Sequence, residues 1–339
     1  MIEEGEPPTT SQETAARRAS SPTVRPADRE QTLQIKTILV PLDFSGASMQ
    51  ALKYTIPLAE KFGAAIHLVH VQPVDEMTAI SRAGHLMLDC ADAIAYLQDR
   101  LAEVQRKHEV QFWPDNCHVV SGRPFEEICQ LAREIEADLI VLSTRGHGAL
   151  KHVLLGSTAE RVVRFAPCPV LVPRGKKYKA AIFNGQSGTK FSLRKILVPV
   201  DFSECSLGGV KYAAGLAKRT GASLRLFHAV FPYSQVFVGD RIGADATPLI
   251  KKAQATAWEE MKKLTRMSFL RAISYETEVR TGSTIDEICA ETGRRDIDVV
   301  VASTHGRTGF KHALIGSVAE HVVRYAECPV IIVPSRCGS

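Results

Sequence analysis

The 339-residue chain is predicted to be an α/β protein made of two repeated, doubly wound, five-stranded parallel sheets. Two observations carry this prediction. Short apolar runs, read as strands, alternate with amphipathic segments, read as helices, and such alternation implies a parallel sheet with right-handed crossovers. The chain is also an internal duplication. Lys36–Pro41 followed by Leu42-Asp43-Phe44-Ser45 returns as Lys195–Pro199 followed by Val200-Asp201-Phe202-Ser203. Ser143-Thr144-Arg145-Gly146 with Gly156-Ser157 returns as Ser303-Thr304-His305-Gly306 with Gly316-Ser317, nine residues separating the two glycines each time. Asp43 and Asp201 are 158 residues apart, as are His70 and His228, whereas Gly122 and Gly282, and both later glycine pairs, are 160 apart. A two-residue insertion between His228 and Gly282 accounts for the difference.

The elements follow in order. Lys36–Pro41 reads as a strand. Ala47–Phe62 reads as a helix, because Ala51, Tyr54, Thr55, Leu58, Ala59 and Phe62 recur at three- and four-residue steps, and Gly63 suits its C-terminal cap. Ala65–Val71 is a strand, Leu86–Lys107 a long helix and His118–Ser121 a short strand. Pro124–Glu136 is a helix with Pro in its first turn. Asp138–Leu142, Ser157–Ala166 and Val170–Pro173 complete the repeat as strand, helix and strand. The second repeat reads as Lys195–Val200, Ser206–Thr220, Ser223–Val230, Thr247–Met267, Thr277–Thr281, Thr284–Thr292, Asp298–Ala302, Ser317–Ala326 and Val330–Pro334. The first and fourth strands of each repeat are almost wholly apolar, as strands covered on both faces are. The resulting division is a disordered tail over 1–34, a first domain over 35–174, a linker rich in Lys, Gly, Ser and Asn over 175–193, and a second domain over 194–335.

Composition narrows the function. With 45% hydrophobic and 23% charged residues the chain reads as globular. A net charge of +5 is small, and doublets such as Lys251-Lys252 read as solvated faces, so no nucleic-acid partner is expected. No apolar run of about 18 residues occurs, so no membrane partner is expected. The N-terminal stretch lacks the apolar core of a signal peptide. The eight cysteines are dispersed without a CxxC. Cys168 and Cys328, each before a proline, read as small buried hydrophobes, and a cytoplasmic, reducing compartment is expected.

In an open parallel sheet, ligands bind beyond the carboxyl ends of strands where the strand order reverses. Asp43 and Asp201 end the first strands; Ser143 and Ser303 end the fourth. If these strands are neighbours, each Asp faces a glycine loop across one crevice. Gly146 and Gly306 would let backbone N–H groups approach phosphate. Gly156-Ser157 and Gly316-Ser317 would present a helix N-terminus to it, and the Ser hydroxyl could donate or reach a magnesium ion. A plainer reading stands beside this: such an Asp makes an Asx-turn or cap, and Gly-Ser is an ordinary helix start. No GxxxxGK[ST], GxGxxG after the first strand, zinc set or catalytic triad is present, so no catalytic residue and no metal ligand is assigned.

These residues resemble the universal stress proteins. Pro-Leu-Asp43-Phe-Ser and Pro-Val-Asp201-Phe-Ser are similar to the family's first-strand signature, His70-Val71 and His228-Ala229 to its second-strand end. The two glycine loops resemble its nucleotide loop, and Cys168-Pro-Val and Cys328-Pro-Val its last helix–strand junction. The likeness covers about 36–173 and 194–334. It implies an adenine-nucleotide α-hydrolase-like fold with strand order 3-2-1-4-5, which puts the first strand beside the fourth. It also implies ATP as ligand, possibly with Mg. Asp43 or Asp201 would contact the nucleoside and the backbone of Val71 or Ala229 the adenine. Gly146, Gly156 and Ser157, or Gly306, Gly316 and Ser317, would hold phosphate. ATP-binding members carry Gly-x2-Gly-x9-Gly-(Ser/Thr); Ser143 and Ser303 stand at the first glycine, where Ser is suited only if φ is negative. The apolar last strands are edges that invite pairing, in an intramolecular pair of the two domains, with a further homodimer open. Two functions remain: an ATP-binding stress-response module with at most slow hydrolysis, and a nucleotide-free interaction protein whose loops are structural. An enzyme on a related fold would need motifs that are absent.

Overall fold

The computed structural model describes residues 33–73, 95–96, 98–99, 102–103, 116–143, 156–174, 191–231, 247–294, 296–306 and 315–334. The expected tail (but for residues 33 and 34), linker residues 175–190, Gly146 and most of the expected helix Leu86–Lys107 lie outside them; residues 95, 96, 98, 99, 102 and 103 of that helix are helical.

The first repeat runs β1 (Thr37–Pro41), α1 (Gly46–Phe62), β2 (Ala65–Pro73), β3 (Cys117–Gly122), α2 (Pro124–Glu134), β4 (Leu139–Val141), α3 (Ser157–Phe165) and β5 (Val170–Val172). The second runs β6 (Lys195–Pro199), α4 (Glu204–Thr220), β7 (Ser223–Val230), α5 (Thr247–Thr265), β8 (Tyr275–Thr281), α6 (Thr284–Thr292), β9 (Val299–Ser303), α7 (Ser317–Tyr325) and β10 (Val330–Val333). Asp138 and Asp298, expected to open strands, lie just before them. Each carboxylate accepts from two backbone N–H groups at the start of the neighbouring first strand: Lys36 (2.7 Å) and Thr37 (3.0 Å), and Arg194 (2.7 Å) and Lys195 (3.2 Å). Gly63 (φ 67°) and Gly221 (φ 79°) end α1 and α4 in the left-handed conformation, which favours glycine.

All ten strands form one sheet in the order β3-β2-β1-β4-β5-β10-β9-β6-β7-β8. Each half has the expected 3-2-1-4-5 order with parallel neighbours. The halves join at an antiparallel seam, where Val172, Leu171 and Val170 pair with Val330, Ile331 and Ile332.

Successive strand residues point to opposite faces, and both faces are buried. Ile38, Val40, Leu139, Val141 and Leu171 share one core with Ile196, Val198, Val299, Val301 and Ile331, under Leu52 of α1 and Val210 of α4. Leu39, Ile140, Val170 and Val172 share the other with Leu197, Val300, Val330 and Ile332, under Ile128, Val162, Ile288 and Val322 of α2, α3, α6 and α7. Both cores cross the seam. Three residues assigned from sequence to the tail and the linker take part: Leu33 packs beside Gly215 of α4, Phe191 meets the Tyr54 ring edge-on at 6.0 Å, and Leu193 is buried. Apolar side chains flanking polar segments follow the core rather than the composition of their neighbours.

Candidate functional site

The first and fourth strands of each repeat are neighbours: Leu39 pairs with Ile140 and Leu197 with Val300. Their carboxyl ends therefore share one end of the half-sheet. In the second repeat these ends bound a cavity of about 240 Å³. All six residues expected there, Asp201, Ala229, Ser303, Gly306, Gly316 and Ser317, line it. In the first repeat Asp43 follows β1, Val71 lies in β2, Ser143 follows β4, and Gly156 and Ser157 open α3.

The turn after the first strand is built on the same plan twice. Asp43 Oδ1 accepts from Ser45 N at 3.0 Å, and Asp201 Oδ1 from Ser203 N at 3.0 Å and Ser203 Oγ at 2.6 Å. The Asx-turn reading is thus correct for one carboxylate oxygen. Between them Phe44 (φ 59°) and Phe202 (φ 64°) are left-handed, at a cost of roughly 1–2 kcal/mol for an L-residue. Each ring is held against the histidine of the second strand, His70 at 4.9 Å and His228 at 4.7 Å. Each histidine is fixed in turn by Nδ1 on a backbone carbonyl, Leu42 O at 2.8 Å and Val200 O at 2.7 Å. Ser45 and Ser203 then cap α1 and α4, accepting from Ser48 N and Ser206 N at 3.2 Å.

Gly306 and Gly316 stand in close contacts rather than at positive φ. A Cβ on Gly306 would lie 2.4 Å from Asp201 Oδ2, and one on Gly316 3.1 Å from Thr304 O. Gly316 has ordinary extended angles (φ −59°, ψ 141°), as does Gly156 (φ −62°, ψ 146°). Ser303 ends β9, paired with Val333. Neither Ser143 nor Ser303 is among the left-handed residues, so serine carries no left-handed backbone strain at either position. Ser303 Oγ donates to His305 O at 2.8 Å. The loop is pinned from below, Thr304 N donating to Val333 O at 3.0 Å and Gly316 N to Thr304 O at 2.8 Å.

The helix starts differ in a way that bears on chemistry. α4 has a side-chain cap; α7, preceded by Gly316, and α3, preceded by Gly156, have none. Ser317, Val318 and Ala319, the first three residues of α7, line the cavity, with the positive end of the helix dipole behind them. His305 and Thr304, whose side chains meet at 3.0 Å, and Thr284 at the start of α6 also line it. Thr304 and His305 stand in the duplicated loop motif without an assigned role; Thr284 was signalled only by following the carboxyl end of β8.

A model of the Universal stress protein family matches the chain twice, over residues 34–174 and 192–334. The chain belongs to the universal stress protein family. It is similar to a universal stress protein of Mycolicibacterium smegmatis, 27% identical over 317 residues, covering 88% of this chain and 97% of that one. One of Methanocaldococcus jannaschii is 34% identical over 142 residues, 42% of this chain and 84% of its own. The solved structure of a universal stress protein from Archaeoglobus fulgidus superposes with a TM-score of 0.55 at 20% identity, covering 89% of this chain and 99% of that one. The tandem arrangement agrees with two family matches and one duplicated frame.

Among the described residues no helix is long and apolar enough to cross a membrane, and no three His, Cys, Asp or Glu side chains gather as a metal site. Cys168 and Cys328 are buried thiols, and burial pushes Cys168 up to about 12. Cys205, at the start of α4, is instead disulfide-bonded, which departs from the reading of the cysteines as reduced; spacing in sequence gives no measure of proximity in space.

Proposed function

We propose that this universal stress protein binds an adenine nucleotide in the second-repeat cavity, as a regulatory module rather than an efficient enzyme. The observation that carries the reading is the uncapped start of α7. Its first three residues line a cavity that Asp201 also lines. The backbone N–H groups of a helix start and the positive dipole end favour phosphate; a carboxylate in the same cavity suits ribose hydroxyl donors. The Ala229 backbone is the wall expected to meet adenine, and Ser317 Oγ the group expected to meet phosphate or its magnesium ion. The matching residues of the first repeat, Asp43, Val71, Ser143, Gly156 and Ser157, form the second candidate site.

Hydrolysis needs a positioned base for water. Asp201 Oδ1 is engaged by Ser203 and His228 Nδ1 by Val200 O, so turnover far below about 10 per second is expected. The nucleotide-free reading has its own support: Gly306 and Asp201 account for each other by packing alone. Calorimetry with Mg-ATP and with adenosine separates the two. Tighter binding of ATP, by about tenfold or more, supports a phosphate site at α7. Equal affinities would remove the helix from the site, and no heat with either would leave the loops structural.

A further inference from the structure

The two repeats differ at one duplicated place away from the cavity. In the second repeat Arg225 of β7, paired in register with Leu197, forms ion pairs with Glu276 and Glu278 of β8 and Glu291 of α6. In the first repeat the residue paired with Leu39 is His67, and the counterpart of Glu278, paired with Val69, is His118. A permanently charged cluster is replaced by two imidazoles.

His67 Nδ1 and His118 Nε2 are 3.1 Å apart. The ring planes are 12° from parallel and the centroids 5.4 Å apart. That separation equals the N···N distance plus the two centroid-to-nitrogen radii, so the rings lie end to end, not face to face. The two nitrogens point straight at each other. This suits one shared proton and excludes a metal ion, whose two ligands must converge beside the line joining them. A shared N–H···N bond survives one extra proton on an outer nitrogen, but two N–H groups cannot face each other at that distance. Burial lowers both histidines below the ordinary value, His67 further by the neighbouring His118. Glu134 of α2 is the charged group that draws His118 the other way, and its carboxylate is shared with Gln130 at 2.9 Å. Leu39 faces the pair from β1; Cys117 and Val119 belong to the opposite face of β3.

We propose that the His67–His118 pair is a proton-operated latch on the edge strand β3, which double protonation opens in the first repeat alone. A histidine whose folded value is depressed contributes stability that is present above its unfolded value of 6.5 and is lost as pH falls below it. Among the described strands β3 has only β2 as a neighbour, so its release breaks one ladder. Val71, a candidate adenine contact, pairs with Val120 of β3, so the release reaches the first candidate site. The proposal does not depend on nucleotide binding.

Amide hydrogen exchange of the full chain at about pH 8 and about pH 5, corrected for intrinsic rates, tests it. Protection in Cys117–Gly122 is expected to fall about tenfold or more relative to Tyr275–Thr281, the matching strand with fixed charges. In His67→Arg/His118→Glu, which transplants the second-repeat pair, the relative fall should disappear. Equal changes in β3 and β8 of the wild-type chain would overturn the proposal without any variant. Persistence of the relative fall in the folded double variant would do the same.

Discussion

Gly306→Ala is the most informative single change, because the structure says what the added methyl meets. The new Cβ would sit 2.4 Å from Asp201 Oδ2, where ordinary contact begins near 3.4 Å. The carboxylate must therefore retreat by about 1 Å. Retreat strains the bonds of Oδ1 to Ser203 N and Ser203 Oγ. Hydrogen bonds to a charged group contribute roughly 1.5–3 kcal/mol each. Partial loss of two, with Phe202 less well held in its left-handed conformation, should destabilise the fold by about 1–3 kcal/mol. A displaced Asp201 should also weaken Mg-ATP by about 10- to 100-fold, or roughly 1.4–2.8 kcal/mol. The assay is urea unfolding joined to calorimetry on wild type, Gly306→Ala, Asp201→Ala and the double variant. If the glycine acts through Asp201, the methyl should cost nothing once the carboxylate is gone. Costs that add within about 0.5 kcal/mol would refute this account of the loop.

Ile331→Ala removes a buried side chain at the seam opposite Leu171 and should cost about 2–5 kcal/mol. Because both cores cross the seam, circular dichroism in urea should still show one transition shifted as a whole; two separated transitions would mean that the repeats unfold independently. Ala272 is exposed at φ 62°, so Ala272→Gly should stabilise by about 0.5–1 kcal/mol. Arg271→Gly, next to it at φ −62°, should destabilise in the same thermal-melt series.

Much of this molecule was readable in advance. Nearly continuous apolar runs such as Ile38–Val40 and Val299–Val301 announce strands buried on both faces. The two offsets of the duplicated frame locate the insertion. All six residues expected in the second repeat meet at one cavity because each lies at a strand's carboxyl end, in the loop that follows it, or at a helix start on the same edge of the sheet. What could not be read is what depends on cross-strand register. His67 and His118 are 51 positions apart, and only the pairing of β2 with β3 makes them touch. The reason for Gly306 was also hidden: its neighbour is a carboxylate more than a hundred residues away in sequence, not a backbone angle of its own. Whether Ser303 suits its place turns on the sign of its φ, which sequence does not give.

The seam has one further consequence. Because β5 and β10 run antiparallel, the strands of the two halves point in opposing directions, so the carboxyl ends of β1 and β4 face the opposite way from those of β6 and β9. Any influence between those two ends would pass through the seam strands Val170–Val172 and Val330–Val333. The join is also made within one polypeptide, so its strength is set by tethering rather than by encounter. Dilution, which dissolves a dimer of separate chains, leaves this pairing intact.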